Sequence, residues 1–145
     1  MLRRIITITL LSTAVAFCTL FPLSNQAHAA SHFTYYPSQT AGTTGAVATC
    51  KLTTWTDRIH DDTAQIDCQL KDTKADGDAV YVEWWQDGFG HIQHRNSQGN
   101  GHTITFSDAR RNGDGSFETA YFKVCRDVSF WPDNCSSTMS WSPLH

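Results

Sequence analysis

From Ala46 onward the hydrophobic positions recur at every second residue. In residues 64–71, Ala64, Ile66, Cys68 and Leu70 alternate without error with Gln65, Asp67, Gln69 and Lys71. Successive side chains on an extended chain point to opposite faces, so this stretch reads as a strand with one face in a core and one in water. Residues 47–55 carry Cys50 and Leu52 on one face and read as its partner, and residues 80–85 place Val80, Val82 and Trp84 inward. Residues 91–96 and 103–107 predict a hairpin across Ser97-Gln98-Gly99-Asn100-Gly101, residues 117–126 a sixth strand and residues 136–141 a seventh. Asp76-Gly77, Asp87-Gly88, Gly99-Asn100-Gly101 and Asn112-Gly113-Asp114-Gly115 punctuate the strands, because glycine supplies positive φ at a corner and Asn or Asp tolerates it. No stretch has a helical period. The expected fold is all-β: an antiparallel β-sandwich, immunoglobulin-like, with about seven strands. A small closed barrel is the alternative.

The first thirty residues break this pattern. Arg3 and Arg4 precede an apolar run from Ile5 to Leu23, and Ala27-His28-Ala29 follows as a small-residue cleavage signal. That is the layout of a secretory signal peptide over residues 1–30, so the product is expected outside the cell, under oxidising conditions. Phe17 before Cys18 disfavours a lipid anchor, and no later run is apolar for long enough to span a bilayer. Residues 31–45 are expected as a flexible aromatic N-terminal segment and residues 46–145 as one β-domain.

With Cys18 in the signal, Cys50, Cys68, Cys125 and Cys135 remain, an even set that reads as two disulfides. Three pairings are possible. Cys50–Cys68 and Cys125–Cys135 are expected, because each pair is close in sequence and joined by a turn-rich segment, and loops of that size stabilise a fold by roughly 3 kcal/mol each. The spacings do not suit a zinc site, which needs close ligand pairs.

Charge narrows the partners. Eleven Lys and Arg face 14 Asp and Glu; without Arg3 and Arg4, nine face 14, a net charge of −5. An acidic domain suits neither nucleic acid nor an anionic membrane surface.

Few residues carry a chemical signature. The cysteines are assigned to disulfides, no serine sits in a G-x-S-x-G turn, and His60, His91, His94 and His102 follow no catalytic motif. His91 and His94 point to opposite faces of a strand, which disfavours a shared metal. Asp72, Asp76 and Asp78 with Gly77 and Glu83 mimic a calcium loop, but Lys74 stands where a ligand oxygen belongs, so a charged turn is expected. Glu83, Glu118 and Asp67 are the carboxylates a glycosidase would need, in a domain too short to wall off a cleft. No catalytic residue, metal or cofactor is expected.

Aromatic residues are the surplus. All five tryptophans (Trp55, Trp84, Trp85, Trp131 and Trp141) lie beyond the signal. Trp84 and Trp85 are adjacent on one strand, so alternation buries Trp84 and turns Trp85 outward. Phe130-Trp131-Pro132 lies within the loop that Cys125 and Cys135 would close, a rigid aromatic display of the kind enriched at interfaces. Phe33, Tyr35 and Tyr36 cluster in a segment otherwise rich in Ser, Thr, Gly and Gln; it either folds back or docks into something else. The expected role is binding a protein, with Phe33, Tyr35, Tyr36, Trp85, Phe89, Phe130 and Trp131 as contact residues. The alternative is a carbohydrate binder using Trp85, Phe89 and Trp131, or a protease inhibitor presenting Phe130-Trp131.

Several runs also carry a resemblance. Lys71-Asp72-Thr73-Lys74-Ala75-Asp76-Gly77 with Val80-Tyr81-Val82, then Cys125-Arg126-Asp127-Val128 and Trp131-Pro132-Asp133-Asn134-Cys135, resemble small secreted β-domain proteins of filamentous actinobacteria. Signal, aromatic N-terminus and four-cysteine β-domain together resemble the adaptor subunit of the umbrella toxin particles. The resemblance implies a non-enzymatic linker whose N-terminal segment, with Phe33, Tyr35 and Tyr36, inserts into a large toxin subunit while the β-domain holds a lectin subunit.

Overall fold

In the computed structural model, residues 32–56, 62–112 and 117–143 are described. The predicted signal peptide, Cys18, Ser31, His60 and most of the Asn112-Gly113-Asp114-Gly115 turn lie outside them. Ten strands and no helix occur among the described residues: β1 (His32–Tyr35), β2 (Gln39–Thr43), β3 (Ala46–Thr56), β4 (Asp62–Asp72), β5 (Val80–Gln86), β6 (Ile92–Asn96), β7 (Thr103–Asn112), β8 (Ala120–Arg126), β9 (Asn134–Cys135) and β10 (Met139–Trp141). The seven segments expected from alternation correspond to β3 to β8 and β10; β1, β2 and β9 are additional.

The strands form two antiparallel sheets. In the first, the order is β1-β3-β4-β7, with β2 also on β3; in the second it is β10-β8-β5-β6, with β9 also on β8. β2 covers the Ala46–Cys50 part of the β3 edge and β1 the Thr53–Thr56 part, and Tyr36 N–H donates to Leu52 O at 3.0 Å between them. The N-terminal segment, which has no period of its own, is thus held along the edge of a long strand.

One expected pairing is corrected. β6 and β7 were the predicted hairpin, but β6 pairs with β5 and β7 with β4, in different sheets. The connection is tied to the end of β4: Asp72 N–H donates to His102 O at 3.1 Å and Gly101 N–H to Asp72 O at 2.8 Å. Buried Asn96 donates from Nδ2 to Leu70 O and His102 O. Gly99 and Gly101 supply the positive φ this crossing needs. These bonds draw the chain from one sheet to the other, where a tight turn would have kept it in one.

The sheets enclose one core. The first contributes small residues, Ala46, Ala48 and Ala64, with Cys50, Leu52, Ile66, Cys68 and Leu70; the second contributes Val80, Val82, Val124, Trp84, Phe122 and Trp141. Small side chains on one sheet leave volume for rings on the other, as close packing requires. Phe122 and Trp141 stack with centroids 5.1 Å apart. Both buried indoles keep a partner: Trp84 Nε1 donates to Asp108 Oδ2 at 2.8 Å and Trp141 Nε1 to Pro37 O at 2.9 Å.

Both expected disulfides form, Cys50–Cys68 and Cys125–Cys135. Each joins residues directly opposite each other on neighbouring strands, with Cα atoms 4.2 and 4.0 Å apart. Each therefore staples a pair within one sheet. Replacing Cys50 and Cys68 together by Ala is expected to lower unfolding stability by about 3 kcal/mol in urea titrations. Peptide mapping without reduction is expected to return only these two pairs.

Candidate functional site

β8 is the central strand from which the most exposed aromatic residues are reached. Its buried Val124 and Cys125 end at Arg126, and β9 returns beside it with Cys125 opposite Cys135 and Arg126 opposite Asn134. Residues 127–133 project between these anchors. Asp127 N–H donates to Ala79 O at 2.9 Å and its carboxylate pairs with Arg95. At the other root, Tyr81 donates its hydroxyl to Asp133 Oδ2 at 2.5 Å. Burial first, then the Asp133 carboxylate, push the Tyr81 hydroxyl far above its ordinary range, so it stays a proton donor. Trp131 N–H closes a turn on Val128 O at 3.2 Å.

The apex is built against local preference. Phe130 has φ 66°, the one non-glycine residue with positive φ among those described. A bulky side chain there costs about 1–3 kcal/mol of backbone strain. Phe130 and Trp131 are also the most solvent-exposed large hydrophobics, at 104% and 76%. Leaving such rings in water forgoes about 1.5–3 kcal/mol each relative to burial. The disulfide, the two carboxylate ties and Pro132 impose this display on the loop.

The other expected contact residues lie elsewhere. Phe33 (49% exposed) and Tyr35 (73%) sit on the outer face of the first sheet, where Phe33 faces Trp55 at 5.8 Å between centroids. Tyr36 turns the other way: it is buried and packs on Phe117 at 5.5 Å. Trp85 is half-buried on the outer face of the second sheet, between His91 at 4.5 Å and Tyr121 at 5.3 Å. Phe89 is half-buried beneath the Arg110 guanidinium, 5.9 Å from its ring centre. Trp85 is paired next to the Gln86–Ala120 end of β5 and β8, whereas the Phe130-Trp131 loop leaves β8 at Arg126. The exposed aromatics therefore occupy separate surfaces.

The polar groups singled out in the sequence are mutually engaged. Glu83 accepts from Lys123 Nζ at 2.6 Å and lies 2.8 Å from His91 Nδ1; His94 Nε2 lies 3.1 Å from Asp108, which also takes the Trp84 indole. His91 and His94 thus serve different carboxylates. In the turn that mimics a calcium loop, Arg126 Nη2 reaches Asp76 at 2.6 Å and Asp78 at 2.7 Å. Its guanidinium takes the position between the carboxylates that a cation would need. Glu118 is exposed before β8, and Asp67 lies on the first sheet, away from Glu83.

Sequence reasoning found the aromatic pair but not its supports: Asp127, Asp133, Arg95 and Tyr81. The one signal was an aspartate on each side of Val128-Ser129-Phe130-Trp131-Pro132. No protein-family model matches the chain, and no curated protein matches it significantly.

Burial pushes the carboxyls of Glu83 and Asp108 up, but hydrogen bonds and charge outweigh it, from Lys123 and His91 on Glu83 and from Trp84 and His94 on Asp108. Both stay below their ordinary values of 4.5 and 3.8. A depressed folded value means stability that is fully present above the unfolded value and lost as pH falls through the folded one. The melting temperature is expected to hold from pH 7 to about 5 and to fall below about 4.5. In Glu83→Gln and Asp108→Asn the fall is expected to be shallower; an unchanged slope would contradict these pairings.

Proposed function

We propose that this chain is a secreted, non-enzymatic protein-binding module whose principal grip is the Phe130-Trp131 loop. The observation that carries the reading is a bulky residue held in a left-handed conformation at the tip of a disulfide-closed, doubly tied loop, with two rings in water. Strain and solvent exposure of this kind persist only where the surroundings impose them, and they cluster at ligand clamps. A rigid aromatic pair binds with little further loss of conformational freedom, which is why such residues dominate interface energetics.

Secretion is supported by the layout of residues 1–30 and by two disulfides, which persist in oxidising compartments. An immunoglobulin-like sandwich is supported by strand order: β3-β4-β7 faces β10-β8-β5-β6, with β4 on β7 and β5 on β8 as in that fold, and Trp84 buried on the strand where immunoglobulin domains keep a tryptophan. Its two cystines lie within sheets, whereas antibody domains bridge the sheets.

We further propose an adaptor role in an extracellular complex, as the resemblance to the umbrella toxin adaptor implies. Two exposed aromatic surfaces on different sheets suit a chain that bridges two partners. β1 and β2 are paired along β3, so the loop is the better-prepared contact. The same geometry disfavours a protease inhibitor: proteases engage extended segments, and Phe130 breaks extension at the centre of the loop.

The test is co-purification from culture medium with a tagged full chain. Phe130→Ser with Trp131→Ser is expected to weaken partner capture by at least 30-fold, the weight of an interface hot spot of about 2 kcal/mol. Thermal stability should stay within about 0.5 kcal/mol, as for other surface changes. Undiminished capture by the double variant would refute the reading.

A further inference from the structure

The outer face of the first sheet holds a shallow groove of about 640 Å³, separate from the loop. Such a volume lies in the roughly 300–1,000 Å³ range of small-ligand sites. Its floor is made by outward positions of three neighbouring strands: Thr49 and Lys51 of β3, Asp67 and Gln69 of β4, Thr105 and Ser107 of β7. Strand alternation forces these residues to one side, because their neighbours Cys50, Cys68 and Phe106 face the core side.

Three properties of this face matter together. Its charges cancel: Lys51 Nζ lies 3.6 Å from Asp67 Oδ2, and the other polar lining groups are hydroxyls and an amide, beside Cys68 and Phe106. Its acceptor is fixed: Ser107 Oγ donates to Asp67 Oδ1, and Gln65 Nε2 donates to the same oxygen at 3.0 Å. Further along the same face is an aromatic pair: Tyr35 lies opposite Thr53, one outward position from Lys51, and its ring is within 17° of parallel to that of Phe33, which sits against Trp55. Both rings stay open to solvent, whereas the Trp85 ring is already covered by His91 and Tyr121.

We infer that this groove binds a neutral oligosaccharide, with Tyr35 and Phe33 stacking on the C–H face of a pyranose and the Thr, Ser, Gln and Asp groups of the floor bonding its hydroxyls. Charge selects among occupants. A nucleic acid or a sulfated glycan needs net positive charge, which a paired Lys51 does not supply. An apolar peptide would strip water from the Gln69 amide and the Thr105 hydroxyl without replacing it, at a cost of about 1–3 kcal/mol each. A sugar chain is dense in alternating donors and acceptors and carries weakly polar ring faces, and it satisfies both halves of the site. The inference stands apart from the loop reading, because no residue of 127–133 takes part.

Isothermal titration of the purified full chain with cellohexaose and with chitohexaose tests it, with a heparin hexasaccharide as the charged control. Saturable binding of at least one neutral hexamer is expected, with the heparin fragment inert. Tyr35→Ala and Gln69→Ala, both on exposed positions, are each expected to weaken that binding at least tenfold with unchanged thermal melts. The Phe130→Ser, Trp131→Ser double variant is expected to bind it as the parent does. No saturable binding of either neutral hexamer at millimolar concentration, binding of the heparin fragment in preference, or loss only in the loop variant would each overturn the inference.

Discussion

Cys125 and Cys135 face each other across two antiparallel strands, and this covalent contact determines where the chain between them can go. Without it, a two-residue β9 and the Ser136 N–H bond to Val124 O would hold the return of the loop, and a pairing that short is marginal in water. With it, the loop closes over nine intervening residues, and its roots are fixed to a strand whose Phe122, Val124 and Cys125 are buried. The Asp127–Arg95 pair and the Tyr81–Asp133 bond then set the direction in which the apex points. The exposure of Phe130 and Trp131 follows from these roots.

The rest of the domain works as a platform for two outer faces. One core of small residues on the first sheet and rings on the second holds the strands at fixed spacing. Because the pleat alternates strictly, burying Cys50, Ile66, Cys68 and Leu70 forces Lys51, Asp67 and Gln69 onto a common exterior. On the second sheet the same rule turns Tyr81, Glu83 and Trp85 away from the core, where they meet Asp133, Lys123 and Tyr121. Core and surface are thus set by one periodicity, and a register slip in either sheet would invert both.

That periodicity is why much of the fold was legible in the sequence. Strands β3, β4 and β5 announced themselves by alternation, and the two cystines by their spacing. What escaped was decided by contacts distant in sequence. β1 and β2 have no apolar period, since they are edge strands whose outer side faces water; only the length of the β3 edge, nine of its 11 residues paired with them, makes them strands. The β6–β7 error has the same origin: the glycines at 99 and 101 fit a hairpin turn, and the bonds from Asn96 and Asp72 that carry the chain across to the other sheet cannot be read locally. At the site, the Phe130-Trp131 pair was visible, but the left-handed backbone at Phe130 was not, because nothing in Ser-Phe-Trp-Pro calls for it. Tyr36 could not be separated from Tyr35 by composition; alternation separates them, because the Tyr36 N–H bond to Leu52 O continues the register of β1 and turns its ring to the core face.

Residues 128–131, tied at both roots, are expected to be as rigid as the strands that carry them, with both rings in water. Backbone 15N relaxation of the oxidised protein, with iodide quenching of Trp131 fluorescence in a variant lacking the other exposed indole contributions, measures both halves at once. Order parameters of about 0.85 are expected through the loop, as in rigid backbone, with Trp131 fully quenchable. Order parameters below about 0.6, or a shielded Trp131 ring, would contradict it.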